Sequence, residues 1–229
     1  MKILSVNVSL PTEVPHKRGT VSTGIFKRTV AGRIMLRTSN LDGDGQADLE
    51  NHGGIDRAAY AYSIENYDHW RREIGRTDFA FGQFGENFTV EGMVEDDVHI
   101  GDVFRVGDAL VEVTQPRPPC FKLGIKMGMA RFPKLFLASG RVGFSLRVLE
   151  EGEVGAGDVF ELIESGPERM TVRKMSRLLF FEPENLEGAK RALRVRALSS
   201  GWRGSFEERL TKAGVTQEQD EAVEKESPG

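Results

Sequence analysis

Short segments in which apolar and polar residues alternate are the feature that most limits what this chain can fold into. Residues 4–8, 109–114 and 144–149 all show this period of two. Such an alternation places every second side chain on one face, which is typical of a strand with one buried face. Glycine, aspartate and asparagine separate many such segments, and this pattern favours a β-barrel or a β-sandwich.

The sequence Gly-Asp-Val-Phe occurs twice, at 101–104 and at 157–160. Gly-Asp supplies a tight turn, and the residues after it can enter a strand. We interpret the repeat as an architectural device that supports closure of one sheet.

Helical signals interrupt and then follow the β region. Ser63 can cap a helix that runs through Gly75, and a second short helix is predicted over 131–139, with Pro133 in its first turn. After residues 165–167 (Ser-Gly-Pro), the apolar spacing becomes helical, and Pro183 and Gly201 divide it into three short helices. The predicted parts are a β domain over 1–165, a helical extension over 166–215 and a disordered acidic tail over 216–229.

The charge of the chain gives no electrostatic reason to expect a nucleic-acid or membrane partner. The formal net charge is −4, and the tail alone, with five acidic residues and one lysine, accounts for it. The rest of the chain is formally neutral. No apolar run approaches the roughly 20 residues that span a bilayer, and the N-terminus is too short and polar for a signal peptide. We therefore expect a cytoplasmic protein.

Several common catalytic signatures are absent from the sequence. There is no phosphate-binding P-loop, no dinucleotide-binding Gly-x-Gly-x-x-Gly, no His-x-x-x-His and no Gly-x-Ser-x-Gly. The single cysteine, Cys120, excludes an internal disulfide, a Cys-x-x-Cys zinc site and a cysteine-ligated iron–sulfur cluster.

Cys120 lies in an unusual frame. Three of the four residues before it are prolines, which stiffen the backbone, and a predicted strand over 110–114 delivers this segment. Arg117 and Lys122 flank the thiol and can lower its pKa. A thiolate in this setting suits a nucleophile or a ligand for a soft metal. The alternative is a buried, inert cysteine that acts as a small apolar residue.

Four other residues are candidates for the site, each with a structural alternative. His52 lies beside two glycines and either acts as a ligand or acid–base group or fixes its loop. Asp56 is a pocket residue or only a turn residue, and the Asn87 amide either points to a ligand or holds its turn. Arg141 lies between glycines, where it either meets a phosphate or is an exposed turn residue.

Seven short motifs follow one another along the chain, at residues 44–48, 52–57, 85–87, 100–102, 114–122, 139–141 and 155–158. In this order they resemble the MOSC superfamily, the domain related to the C-terminal part of molybdenum-cofactor sulfurases, and within it the YiiM-like bacterial group. Residues 198–202 also resemble part of the three-helix extension of that group, and the resemblance covers residues 1–212. It implies a mainly β fold with helices (α+β), in which a MOSC-type β-barrel precedes a small three-helix C-terminal extension.

The resemblance also implies a site. Cys120 would be the ligand of the molybdenum in a molybdopterin cofactor. Arg117, Lys122 and Arg141 are the candidates for binding the anionic pterin phosphate or for setting the electrostatics of the site, and His52, Asp56 and Asn87 would line the pocket. At the level of the whole superfamily, pyridoxal phosphate binding is associated with the domain as well.

The activity that the resemblance implies is detoxification of N-hydroxylated base analogues, of the hydroxylaminopurine type, by reduction of the N–O bond. This reaction takes two electrons and two protons. Because the sequence shows no flavin, haem or iron–sulfur site, the electrons would come from a separate donor protein. Two alternatives remain open: a non-catalytic carrier of the cofactor that docks through its helical extension, and sulfur transfer through a persulfide on Cys120.

Overall fold

The chain is described by a computed structural model that covers residues 1–47 and 53–215. Its strands are β1 Lys2–Val8, β2 Thr12–His16, β3 Gly19–Thr23, β4 Arg28–Thr29, β5 Arg33–Leu36, β6 Ala59–Ser63, β7 Phe88–Glu91, β8 Val103–Val106, β9 Ala109–Pro116, β10 Phe144–Glu150, β11 Gly152–Gly155 and β12 Phe160–Glu164. Its α-helices are α1 Ile64–Ile74, α2 Phe121–Met127, α3 Phe132–Ser139, α4 Val172–Phe180, α5 Leu186–Arg194 and α6 Ser200–Lys212, and Ile55–Arg57 forms a short 3₁₀ helix. The tail over 216–229, predicted to be disordered, and His52 lie outside the described residues.

A large mixed sheet forms the centre of the described structure. Eight strands lie in the order β12-β8-β9-β10-β6-β7-β1-β4. The pairing is antiparallel except between β6 and β7, which are parallel because α1 carries the chain back between them. Two small ladders, β5 with β11 and β2 with β3, complete the strand pairing described here. The predicted α+β fold class, rich in strands, is confirmed.

The two ends of the sheet approach each other without forming a full ladder. Lys2 and Val159 form one antiparallel bridge. Beside it, the Ile3 amide donates to the Asp158 carbonyl at 2.8 Å, and the Phe160 amide donates to the Met1 carbonyl at 3.0 Å. Over the described residues, the sheet therefore curls towards a barrel but does not close into a continuous one. The expectation of a barrel is corrected to this extent.

The repeated Gly-Asp turns precede β8 and β12, the two strands that pair at one end of the sheet. In the first turn, Asp102 accepts hydrogen bonds from the amides of His99 at 2.8 Å and Gly166 at 2.9 Å. In the second, Asp158 accepts from the amide of Gly155 at 2.8 Å. Both aspartates therefore hold strand-entry turns, as predicted.

The helices within the β domain match two predictions and add one element. The helix α1 begins after Ser63 and ends at the left-handed Gly75, and α3 occupies the predicted 131–139 segment. The helix α2 was not predicted, because the glycines at 124 and 128 resemble a loop. Gly124 instead lies inside α2, where a side chain would crowd the Met129 carbonyl at 3.1 Å and Pro133 at 3.3 Å.

Aromatic side chains fill the space between β6, α1 and α3. The Tyr62 and Phe84 ring centroids are 4.6 Å apart, and those of Trp70 and Phe132 are 4.8 Å apart. The Trp70 indole donates to the Tyr62 hydroxyl at 2.7 Å, so this polar pair is satisfied inside the core. Phe136 belongs to the same cluster and forms part of the support for the site described below.

Three helices, α4 to α6, follow the sheet, as the apolar spacing predicts. Thr171 caps α4 by accepting from the Lys174 amide at 3.1 Å, and Asn185 caps α5 by accepting from the Gly188 amide at 2.8 Å. The predicted domain boundaries themselves stay predictions. None of the helices in the described ranges has the length and apolar character that crossing a bilayer requires.

Candidate active site

A cavity of about 140 Å³ lies where β9 ends and the segment leading to α2 begins. Its described lining residues are Thr23, Gly24, Ile25, Lys27, Asp44, Gly45, Gln46, Ala47, Arg57, Tyr60, Gly85, Asn87, Gln115, Arg117, Pro118, Cys120, Lys122 and Ser145. These residues are far apart in the sequence and are brought together by the curled sheet. The cavity gathers four predicted site residues: Cys120, Arg117, Lys122 and Asn87.

Cys120 is the residue that starts α2. It has an extended backbone, with φ −124° and ψ 168°, and its carbonyl accepts the Leu123 amide at 3.1 Å. The prolines before Cys120 restrict the backbone conformation that leads to it, and the first turn of α2 fixes the backbone that follows it. The half-buried Cys120 thus lines the cavity at the junction of two rigid segments.

Arg117 is held against aromatic rings at the cavity. Its guanidinium carbon lies 5.3 Å from the Tyr60 ring centroid and 5.8 Å from that of Phe136, within the range of cation–π attraction. Its backbone amide donates to the Gly143 carbonyl at 3.2 Å. The buried Nη1 atom has no hydrogen-bond partner among the described residues. A buried donor left unpaired costs about 1–3 kcal/mol or more, so the folded chain gains free energy if a ligand pairs with this N–H.

Gln115 is a second lining residue with an unused polar atom. It lies in β9, opposite Ser145 of β10, and its side chain is fully buried. Within the described part of the chain, its Oε1 accepts no hydrogen bond, while its Nε2 lies 3.5 Å from the Pro116 carbonyl. The cavity wall therefore offers a buried acceptor from Gln115 as well as a buried donor from Arg117.

A buried ion pair forms another part of the wall. The Lys27 ammonium contacts both carboxylate oxygens of Asp44, at 2.5 and 2.6 Å, and both side chains are almost fully buried. Asp44 also accepts from the Ser9 amide at 2.8 Å. Burial lowers the pKa of Lys27 below its ordinary value, and the neighbouring Asp44 counteracts part of this change.

Asn87 holds this wall together. Its Oδ1 accepts from the Tyr60 amide at 3.0 Å, and its Nδ2 donates to Asp44 at 2.8 Å and to the Asn7 carbonyl at 3.3 Å. Of its two predicted roles, the contacts support the structural one. Asn87 lines the cavity, but its amide positions the Asp44 carboxylate.

The described lining carries a positive net charge. Lys27 and Asp44 offset each other, and Arg117 and Lys122 are further cations of the described lining. Positive charge in a partly enclosed cavity favours an anionic ligand.

Two predicted site residues lie away from the cavity lining. Arg141 donates to the Asn66 side chain of α1 at 2.9 Å, and its carbonyl accepts from the Tyr62 hydroxyl at 3.0 Å. Its glycine-flanked turn therefore directs it to the aromatic core rather than to a phosphate. Asp56 binds Arg147, with Nε at 3.0 Å, and accepts from the Ser200 amide of α6 at 3.3 Å. These contacts turn the Asp56 carboxylate towards the helical extension.

A second buried network lies next to the cavity wall. Lys126 of α2 donates to the carbonyls of Ile25 at 2.8 Å and Gly82 at 2.6 Å. Burial lowers its pKa to about 8. Glu86 accepts from the Gly82 amide at 2.9 Å and from the Tyr67 hydroxyl, and burial raises its pKa. These contacts join α2 to the segment that carries Ile25.

Sequence reasoning did not select several lining residues as site residues. Asp44 and Arg57 lie inside the motifs quoted above, and Gln115 precedes Pro116 in the proline-rich frame, so their positions gave a signal. Lys27 lies in no motif, and only its burial beside Asp44 reveals it.

Comparison with known proteins agrees with this architecture. Residues 48–161 match the MOSC domain, and residues 170–213 match the YiiM-like, 3-alpha helix domain. The chain is 41% identical to the uncharacterized protein YflK of Bacillus subtilis (strain 168) over 204 residues, which cover 89% of this chain and 92% of YflK. It is 32% identical over 164 residues to a protein of Gibberella moniliformis (strain M3125 / FGSC 7600) named "Reductase", which covers 70% of this chain but only 29% of that protein.

The fold has a solved counterpart. The crystal structure of YiiM from Geobacillus stearothermophilus superposes with a TM-score of 0.79 at 34% identity, covering 91% of this chain and 98% of that one. The arrangement of a sheet followed by three C-terminal helices thus occurs in a known group. This chain belongs to the MOSC-domain family and, within it, to the YiiM-like proteins.

Proposed function

We propose that this chain binds a molybdenum cofactor through Cys120 and reduces N-hydroxylated compounds, with electrons from a separate donor protein. One observation carries the proposal. Cys120 lines the same cavity as a buried guanidinium N–H and a buried amide oxygen that have no partner among the described residues. A ligand with polar groups would satisfy both atoms next to the thiol.

The described residues fit such a cofactor in their chemistry. A thiolate is a soft ligand that suits a metal also bound by sulfur, and the cations of the lining suit a phosphate. No group of three or more His, Cys, Asp or Glu side chains within 1–47 and 53–215 is placed to hold a metal ion. The proposal therefore assigns the further ligands of a metal at Cys120 to the cofactor itself. When bound, the cofactor supplies two-electron redox chemistry.

The residues of the chain would hold the substrate and supply a proton. Conversion of R–NHOH to R–NH₂ and water consumes two electrons and two protons. Lys27 is an ionisable lining residue whose pKa burial lowers, and Asp44 holds its Nζ in place. We expect the Lys27 ammonium to donate one proton towards the departing hydroxyl. The partly enclosed cavity would limit the access of water.

The electron donor follows from the composition of the chain. Its single cysteine excludes a cysteine-ligated cluster, and its sequence shows no flavin or haem signature, so in this proposal the electrons come from another protein. The Gibberella protein, which is named a reductase and is much longer than its match to this chain, supports a redox role for the domain.

The direct test is turnover. The protein would be produced in a host that makes the cofactor, purified without air and mixed with 6-N-hydroxylaminopurine and reduced viologen. Chromatography would measure the adenine formed. We expect turnover by the wild type and a loss of at least about 100-fold in Cys120→Ser, which removes the thiolate. A melting curve would show that the variant is folded, and undiminished turnover by the folded variant would reject the proposal.

The same cavity also supports a second candidate, sulfur transfer by Cys120. The surrounding cations would stabilise a persulfide, because that group is anionic near neutral pH. Mass spectrometry after incubation with a sulfur donor tests it. Addition of one sulfur atom at Cys120, together with no turnover of the hydroxylamine, would favour sulfur transfer. A bound cofactor with neither reaction would instead indicate a carrier.

A further inference from the structure

We propose that Gln115 and Arg117 form a recognition pair for the edge of a nitrogen heterocycle that presents an N–H donor beside an acceptor. The inference rests on the proposed function and names residues that would select its ligand. The sequence does not single out Gln115 as a site residue, and it predicts Arg117 only as a neighbour of the thiol and a contact for phosphate. The pair assigns each of them a specific hydrogen bond.

Gln115 and Arg117 border a shared space. Gln115 and Arg117 are two residues apart at the end of β9, and alternate residues of an extended chain point to the same side. Both line the cavity that Cys120 also lines. A single ligand beside the thiol can therefore reach both residues.

Among residues 1–47 and 53–215, neither side chain has another group that satisfies its polar atom. Gln115 is fully buried in the central part of the sheet, with Ser145 as its ladder partner. The Arg117 guanidinium lies over the Tyr60 and Phe136 rings, and turning it to solvent would lose both contacts. The orphaned Oε1 and Nη1 atoms are thus held in place before a ligand arrives. Such preorganisation reduces the entropy lost on binding.

The chemistry of the pair defines its ligand. Oε1 accepts one hydrogen bond and Nη1 donates one, so the ligand must present the complementary donor and acceptor. Purines with an exocyclic amino group do this with the amino N–H and a neighbouring ring nitrogen, the same edge that glutamine and asparagine read in adenine. An N-hydroxylated aminopurine keeps one N–H on that nitrogen. Binding by this edge would bring the nitrogen that bears the hydroxyl to the cavity of Cys120.

A pterin ring offers the same kind of edge, so the experiment must separate substrate from cofactor. Calorimetric titrations of cofactor-free protein would use adenine and pterin as probes, with N6,N6-dimethyladenine as the control that lacks the N–H. We expect adenine, pterin or both to bind. We also expect Gln115→Met to weaken the binding of whichever probe binds by about tenfold or more, because its acceptor is lost. Gln83→Met, at a glutamine outside the cavity lining, should bind as the wild type does.

The outcomes are separable. Adenine binding that requires Gln115 assigns the pair to the substrate, and pterin binding alone assigns it to the cofactor; both support the proposed chemistry. Failure of both probes to bind, or equal binding by the wild type and the folded Gln115→Met variant, would overturn it. If Gln115→Met does not fold and adenine is the probe that binds, the wild type alone still tests the recognition pair. Equal binding of adenine and N6,N6-dimethyladenine would then overturn the proposal. Because no turnover is measured, this result stands apart from the test of the proposed function.

Discussion

Lys126 shows how a single buried residue can support the cavity and still reduce stability. Its ammonium satisfies two carbonyls, those of Ile25 and Gly82. Burial also lowers its pKa from 10.5 to about 8, which means that the folded protein disfavours the charged form. Between these two pH values, the unfolded chain keeps a proton that the folded chain has lost. The free energy of unfolding therefore rises with pH across this window.

A comparison with Lys126→Met isolates this contribution. The wild-type free energy of unfolding, minus that of the variant, should increase as pH rises from about 8 to about 10.5, by up to about 3 kcal/mol. Denaturant titrations at several pH values would measure the difference. Below pH 8 the difference should be constant, since Lys126 is charged in both states. A difference that stays constant throughout, or falls with pH, would contradict the assignment.

Gly143 is a position where no other residue fits. Its φ of +65° lies in the left-handed region, and an added Cβ would lie 2.4 Å from the Ala61 carbonyl oxygen. Its own carbonyl accepts the Arg117 amide, so a shift here would move the cavity wall. We expect Gly143→Ala to lower the free energy of unfolding by about 2–4 kcal/mol.

Gly204 is the matched control for this substitution. It is exposed inside α6, and a Cβ there would meet no atom of the described chain within 4 Å. Gly204→Ala should raise the free energy of unfolding by about 0.5–1 kcal/mol. Chemical denaturation would measure the free energy of unfolding of both variants. Equal changes in the two variants would show that a side chain at residue 143 is not crowded.

At the scale of elements, Asp56 connects the sheet to the helical extension. It pairs with Arg147 of β10 and accepts the Ser200 amide at the start of α6. Arg147 also donates to Glu112 of β9 at 2.7 Å. The 3₁₀ helix that contains Asp56 therefore links two strands and one helix.

Asp56→Asn should loosen this connection. The substitution removes the charge that binds Arg147, and we expect a loss of about 1–2 kcal/mol with faster hydrogen exchange in α6. Asp68→Asn removes an exposed ion pair with Arg71 and should change stability by less than about 0.5 kcal/mol. Unchanged exchange in α6 would show that Asp56 does not hold the extension.

The sequence predicts elements best where local signals are strong. Ser63 and Gly75 predict where α1 begins and ends. The apolar spacing, interrupted at Pro183 and Gly201, predicts the three C-terminal helices. The helix α2 is missed because Gly124 serves close packing against Met129 and Pro133, a tertiary reason that no local rule contains. The parallel pairing of β6 with β7 and the incomplete closure of the sheet depend on contacts between distant segments in the same way.

The site residues also differ in whether local sequence or tertiary contacts identify them. Cys120, Arg117 and Lys122 can be selected because they cluster in one short segment. Lys27 cannot, because it reaches the cavity only when its segment folds over Asp44. Asp56 and Arg141 lie in motifs that resemble the family, but their side chains form hydrogen bonds with charged or polar partners outside the cavity lining.

At the scale of the whole molecule, the fold serves to assemble one cavity. Segments that are distant in sequence meet at the end of β9, where Cys120 lines the same cavity as Gln115 and Arg117, whose buried Oε1 and Nη1 atoms have no hydrogen-bond partner among the described residues. In the proposed function, Cys120 would be the molybdenum ligand that the chain supplies.

Elemental analysis tests this claim most directly. Molybdenum and pterin would be measured in wild-type protein and in Cys120→Ser, both purified without air from a host that makes the cofactor. We predict about one molybdenum per wild-type chain, and its loss in Cys120→Ser, because the proposed function makes the thiolate the protein's ligand to the metal. Molybdenum that is absent from the wild type, or retained in full by Cys120→Ser, would contradict the account.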